Sequence, residues 1–122
     1  MAKILIIEDN EQNMYLCTFI LKSHHHDVIQ AWSGREGLEI AQTTLPDLII
    51  LDIQLPEMDG HAVAREMKKD PATNRIPIVA VTSYAMAGDR DRALTAGCKG
   101  YIEKPINPET FIQEISQHLR AI

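Results

Sequence analysis

The sequence predicts a single doubly wound, flavodoxin-like α/β domain: a five-stranded parallel sheet in the order 2-1-3-4-5, flanked by five helices. Three observations carry that prediction. Strand-like and helix-like patterns alternate from end to end with short connections, as a β-α-β wind requires. The segments ILII (4–7), DLIIL (47–51) and PIVAV (77–81) are nearly continuous apolar runs, as expected of parallel strands covered on both faces. Polar residues stand just past the ends of several strands, on the edge where open α/β sheets place their ligands.

Each element has its own signal. The first strand, 4–7, runs into Glu8 and Asp9. The first helix, 11–23, sets Asn13, Leu16, Cys17, Ile20 and Leu21 on one side. Glu11, Met14, Tyr15 and Thr18, at i, i+3, i+4 and i+7, then form an outward face. His24, His25 and His26 fall on a short connection and read as a solvated loop rather than a metal site. The second strand is VIQAW (28–32), and a helix follows over 34–43, punctuated by Leu45-Pro46. The third strand, 47–51, delivers Asp52. Asp59-Gly60 reads as the turn into a helix over 60–69, which Asp70-Pro71 closes. The fourth strand, 77–81, leads to Thr82, and the fourth helix covers 86–96 with Arg90, Asp91 and Arg92 on an exposed face. The fifth strand, GYIE (100–103), delivers Lys104 and Pro105. Asn107-Pro108 then caps and starts a last helix whose Phe111, Ile112, Ile115 and Leu119 point inward.

Composition narrows the functional classes. The chain of 122 residues is one domain, 45% hydrophobic and 24% charged, with no repeat or linker, and no output domain is expected after the fifth helix. A net charge of −5 argues against nucleic acid as a partner. No segment is long enough to cross a bilayer, and the N-terminal apolar run is too short for a signal peptide, so a cytoplasmic location is expected. Cys17 and Cys98 lack metal-like spacing and read as small buried residues; Trp32 and the five methionines read as packing.

With strands one, three and five ending on one edge, Glu8, Asp9, Asp52 and Lys104 share a crevice. Two unit charges roughly 4 Å apart repel by about 4 kcal/mol at an effective dielectric near 20. A hard divalent cation removes that conflict; Mg²⁺ is commonly held by one or two carboxylates plus a phosphate. Asp52, the lone carboxylate on the middle strand, is the candidate nucleophile for an aspartyl phosphate. Lys104 and the Thr82 hydroxyl can neutralise two oxygens of the transferred group, and the backbone N–H groups of Leu55 and Ser83 are further donors.

The segments IIEDN, LDIQLPEMDG, AVTSYA and GYIEKP, in that order, resemble the signature segments of the response-regulator receiver domain of two-component signalling, the CheY-like superfamily. The resemblance implies Mg²⁺ bound by Glu8, Asp9, Asp52 and the backbone carbonyl of Gln54, with Mn²⁺ able to substitute. It implies Asp52 as phosphoacceptor, Thr82 as switch hydroxyl, Tyr101 as rotating aromatic switch and Lys104 as phosphate-binding lysine. The phosphodonor is then a histidine kinase or a histidine phosphotransfer domain, met by Glu11, Met14, Tyr15, Thr18 and Pro105. A protein reader is expected on the face of the fourth helix, fifth strand and fifth helix, with the domain a monomer or weak dimer. Gln54 and Tyr84 border the path of attacking water; with no carboxylate at either position, self-dephosphorylation is expected to be slow. The resemblance also implies a cis Lys104-Pro105 bond and a left-handed His25 where a glycine is usual. Two rivals stand beside this reading. One is a phosphorylation-independent scaffold with the same fold. The other is an aspartyl-phosphate hydrolase, which needs an acid two residues after the nucleophile, where this chain has Gln54.

Overall fold

The computed structural model describes residues 2–83 and 87–119. Strands and helices alternate as β1 (Lys3–Ile7), α1 (Glu11–Ser23), β2 (Asp27–Ala31), α2 (Gly34–Thr44), β3 (Leu48–Asp52), α3 (Gly60–Lys69), β4 (Ile78–Thr82), α4 (Asp89–Thr95), β5 (Gly100–Glu103) and α5 (Pro108–Leu119). The strands are all parallel, in the order β2-β1-β3-β4-β5. Fold and strand order are therefore those the sequence predicts.

Side-chain alternation along the strands divides the core into two layers. Ile4, Ile6, Leu48, Ile50, Val79 and Val81 pack against α1 and α5, chiefly against Met14, Cys17, Phe111 and Ile115. Leu5, Ile7, Ile49, Leu51, Ile78 and Ala80 face α2, α3 and α4, meeting Ala41, Val63, Met67 and Ala93. The three inner strands β1, β3 and β4 are covered on both sides, which is why they read as unbroken apolar runs.

Helix starts follow their capping residues. Asn10 accepts from the Asn13 amide (2.9 Å) and Asp59 from the His61 amide (3.2 Å). Ser33 accepts from the Glu36 amide, and the Glu36 carboxylate reaches back to the Trp32 amide, a reciprocal cap one residue out of the usual register. Helix α4 starts at Asp89, after Gly88 in the left-handed region (φ 87°), rather than at 86 as the sequence suggested; residue 86 lies outside the described residues. His25 has φ 67°, as expected. Leu45 (φ 47°) was not anticipated; it ends α2 left-handed before Pro46, which disfavours a further helical residue there.

Two expectations about burial are corrected. Met14, assigned to the outward face of α1, is 1% exposed. It lies three residues before Cys17 and seven before Leu21, so it continues their buried stripe, while Asn13 stays at the margin. Burying a flexible thioether costs far less than burying an amide. Trp32, assigned to packing, is 41% exposed, because β2 ends at Ala31 and leaves the indole beyond the sheet.

Candidate functional site at the carboxyl edge of the sheet

Strand register brings the polar residues to one level. Ile7 pairs with Leu51, so Glu8 follows β1 at the height of Asp52. Asp52 pairs with Val81, and Thr82, one residue on, pairs with Glu103 just before Lys104. The Lys104 amide donates to the Thr82 carbonyl at 2.7 Å, carrying the register past the strand end. Alternation then sorts the side chains. Glu8 lies two residues beyond Ile6, Asp52 two beyond Ile50 and Lys104 two beyond Ile102, all on the α1/α5 side. Thr82 lies two beyond Ala80, and Tyr101 packs with the other layer, so this pair belongs to the α2–α4 side.

Ligand oxygens of Glu8, Asp9 and Asp52 lie within 4.8 Å of one another. Lys104 Nζ is 3.0 Å from Glu8 Oε1 and 3.6 Å from Asp52 Oδ2. Glu8 and Asp52 are buried, whereas Asp9 is exposed. Lys104 thus pairs with two carboxylates withdrawn from water, and Asp9 completes the acidic cluster. Burial, and then the neighbouring Asp52, push the Glu8 carboxyl up from 4.5 to about 7 against the opposing pull of Lys104. Such a donor set suits a hard divalent cation: all oxygen, with one open, solvent-facing side. Beneath it, burial and the charge of Glu8 push the Cys17 thiol up to about 12, which keeps that sulfur protonated and unreactive.

Backbone geometry fixes the floor of the site. The Gln54 amide donates to Asp52 Oδ1 (2.9 Å), and the Asn10 amide to Glu8 Oε2 (3.2 Å). Gly60 lets the start of α3 press on the end of β3: a Cβ there would stand 2.4 Å from Ile53 Cα and 2.8 Å from the Asp52 carbonyl oxygen. The Lys104-Pro105 bond is cis, as expected, and Pro105 is exposed at the rim.

The remaining predicted residues are placed as follows. Thr82 is buried as the last residue of β4, beside an open crevice of about 540 Å³ that Gln54, Met58 and Arg92 also line. The Tyr101 hydroxyl is buried without a hydrogen-bond partner among the described residues; burial first, then Asp89 and Glu103, raise its pKa. Gln54 extends over the edge and accepts from the Ser83 amide (3.0 Å), a contact with no signal in the sequence. Tyr84 lies outside the described residues. On α1, Glu11 and Tyr15 are exposed, and Thr18, half-buried, accepts from Gln30 (3.1 Å). Phe19, which the sequence reading passed over, is 62% exposed and stacks on Tyr15 with ring centroids 6.4 Å apart. Their i, i+4 spacing was the available signal.

A doubly wound sheet carrying an acidic cluster and a lysine at its carboxyl edge defines a receiver domain, and residues 4–116 match the response regulator receiver domain family. The chain belongs to that family, whose members are signalling switches rather than classical enzymes. It is 42% identical over 116 residues to the polar-differentiation response regulator DivK of Brucella ovis, covering 95% of this chain and 94% of that protein. A CheY-like receiver domain protein from Methanospirillum hungatei superimposes with a TM-score of 0.92 at 28% identity, covering 99% of this chain and 95% of that one. The receiver domain of the sensor histidine kinase PA1611 from Pseudomonas aeruginosa superimposes with a TM-score of 0.90 at 29% identity over 98% of both chains. That structure has a magnesium ion coordinated in its active-site cleft.

Proposed function

We propose that this chain is a phosphoacceptor switch of a phosphorelay, phosphorylated on Asp52 in a Mg²⁺-dependent reaction. The observation that carries the proposal is the cluster itself: Asp52 Oδ2 is 3.6 Å from Lys104 Nζ, and its carboxylate shares a 4.8 Å oxygen cluster with Glu8 and Asp9. Glu8, Asp9, Asp52 and the Gln54 carbonyl would hold Mg²⁺. When bound, the ion neutralises the carboxylates and one oxygen of the transferred group.

An Asp52 oxygen attacks the phosphorus of a phosphohistidine in the donor. The new P–O bond forms as the P–N bond breaks, and the imidazole leaves with the electron pair and takes up a proton. Lys104 is close enough to turn from Glu8 toward a phosphoryl oxygen, and the Thr82 hydroxyl serves another. Tyr101 then follows Thr82 on the α2–α4 side, altering the face of α4, β5 and α5 that a protein reader meets. Glu11, Tyr15, Thr18 and Pro105 form the contact with the phosphodonor; Met14 supports it from beneath.

The test is labelling of purified protein with acetyl phosphate and Mg²⁺. We expect one phosphate, labile to base and to neutral hydroxylamine, lost in Asp52→Asn and in the presence of EDTA. Labelling that survives Asp52→Asn would refute the assignment. The DivK-like sequence and the site chemistry favour this reading over a phosphorylation-independent scaffold, because a scaffold has no use for two buried carboxylates beside a lysine.

A further inference from the structure

Three of the five exposed large apolar side chains among the described residues sit together where α1 meets the edge of β2. They are Tyr15 (73% exposed), Phe19 (62%) and Trp32 (41%). Tyr15 and Trp32 flank an open cleft of about 500 Å³, with Glu11, Gln12 and Gln30 on its walls and Met14 as its buried floor. The lining includes a carboxylate and no cation. The Glu8 amide donates to the Ala31 carbonyl at 3.0 Å, so Trp32 leaves the sheet directly beside the acidic loop of residues 8–10. Asp9 of that loop is exposed.

Exposed aromatic rings of this size are costly to leave in water unless something covers them. The lining also selects its occupant. Two π-faces beside a carboxylate, with no competing cation, suit a delocalised planar cation: guanidinium stacks on aromatic rings and pairs with carboxylates, and is less strongly hydrated than ammonium. We propose that this cleft is a receptor for an arginine side chain, presented by a helix of the phosphodonor whose apolar stripe covers the Tyr15–Phe19 stack. This rests on the phosphoacceptor reading only for the identity of the presenting protein. The site would set partner choice through a charged contact outside the phosphorylation pocket.

Trp32 is the chain's single tryptophan, so its fluorescence reports on the cleft directly. The probe is a synthetic amphipathic helical peptide with a leucine stripe and one central arginine, titrated at low salt. Its control is the same peptide with citrulline, which keeps the shape of arginine without its charge. We expect the arginine peptide to bind about three- to tenfold more tightly than the citrulline peptide, as a cation–π contact combined with a carboxylate pair should give. The preference should vanish in Glu11→Gln, and in Trp32→Leu when read by amide chemical shifts. Equal affinity for the two peptides, no binding by either, or a preference that survives both substitutions would overturn the proposal. Acetyl phosphate labelling of Asp52 in Trp32→Leu should match the unsubstituted protein. Loss of labelling in the unsubstituted protein would instead count against the phosphoacceptor reading.

Discussion

Replacing Glu8 with glutamine should stabilise the metal-free protein at alkaline pH, and the size of the effect follows from the site. In the fold the Glu8 carboxyl ionises near pH 7, against 4.5 for the free group. At about 1.4 kcal/mol for each tenfold change in that equilibrium, keeping Glu8 ionised costs the metal-free fold about 3 kcal/mol. The attraction to Lys104 is already contained in that value, because it opposes the dominant burial and Asp52 contributions. An amide has the shape of the protonated acid without its titration, so Glu8→Gln removes the cost.

The sign is fixed by proton linkage. Between pH 4.5 and about 7 the folded protein keeps a proton that the unfolded chain has released. Wild-type stability therefore falls across that window and levels off above it, relative to the variant. Urea unfolding of both proteins in EDTA, from pH 4.5 to 8.5, measures the difference directly. The two should coincide at the acid end and part by about 3 kcal/mol at the alkaline end, roughly 10 °C in Tm for a domain of this size. Adding Mg²⁺ at pH 8 should then stabilise wild type more than the variant, closing the gap. Parallel stability curves, with a difference independent of pH, would show that Glu8 is not held in a desolvated acidic cluster.

Further outcomes follow from single contacts. Gly60→Ala forces a Cβ against the backbone of Ile53 and Asp52 and should destabilise by about 1–3 kcal/mol while lowering acetyl phosphate labelling; wild-type urea midpoint and labelling would refute the close packing. His25→Gly and Leu45→Gly each relieve a left-handed residue and should raise stability by about 1 kcal/mol, read as an increased urea midpoint; an unchanged midpoint would remove the supposed strain. Gln54→Ala frees the Ser83 amide from its 3.0 Å acceptor. If that amide serves the phosphoryl group, beryllofluoride with Mg²⁺ should bind about three- to tenfold more tightly, and weaker binding would mean that Gln54 assists rather than competes.

What the sequence made legible, and what it did not, follows from the range of the interactions involved. The buried strands declare themselves because β1, β3 and β4 are covered on both faces, and Glu8, Asp52 and Thr82 are found by reading one residue past each apolar run, with Lys104 following the fifth strand. The cis bond and the left-handed His25 came through resemblance to the family rather than through local preference. Helix faces were harder. Putting Asn13 inward and Met14 outward on α1 is an error of one residue, about 100° of rotation, and only the packing of Met14 in the core layer under α1 and α5 resolves it. Trp32 was misread because a strand end moved by one residue turns a packed indole into an exposed one. The Gln54–Ser83 bond joins residues 29 apart through a side chain and an amide, and no periodicity encodes such a contact.

That bond bears on how a charge at Asp52 reaches the opposite side of the sheet. Glu8, Asp52 and Lys104 leave the sheet toward α1 and α5, whereas Thr82 and Tyr101 leave it toward α2, α3 and α4. On the proposed reading, a short route between the two sides runs around the carboxyl edge of the sheet. Gln54 spans that edge: its amide holds the Asp52 carboxylate and its side chain holds the Ser83 amide, next to Thr82. On the proposed reading, an oxygen placed on Asp52 competes at both ends of this residue at once. Release of Ser83 and recruitment of the Thr82 hydroxyl then become a single event. The buried hydroxyl of Tyr101, without a partner among the described residues, stands on the same side as Thr82, and a small shift there changes what that polar atom meets. Gln54 would thereby tune how readily the switch is thrown as well as how long it stays thrown, and Gln54→Ala separates the two effects through beryllofluoride affinity and phosphate decay measured on the same protein.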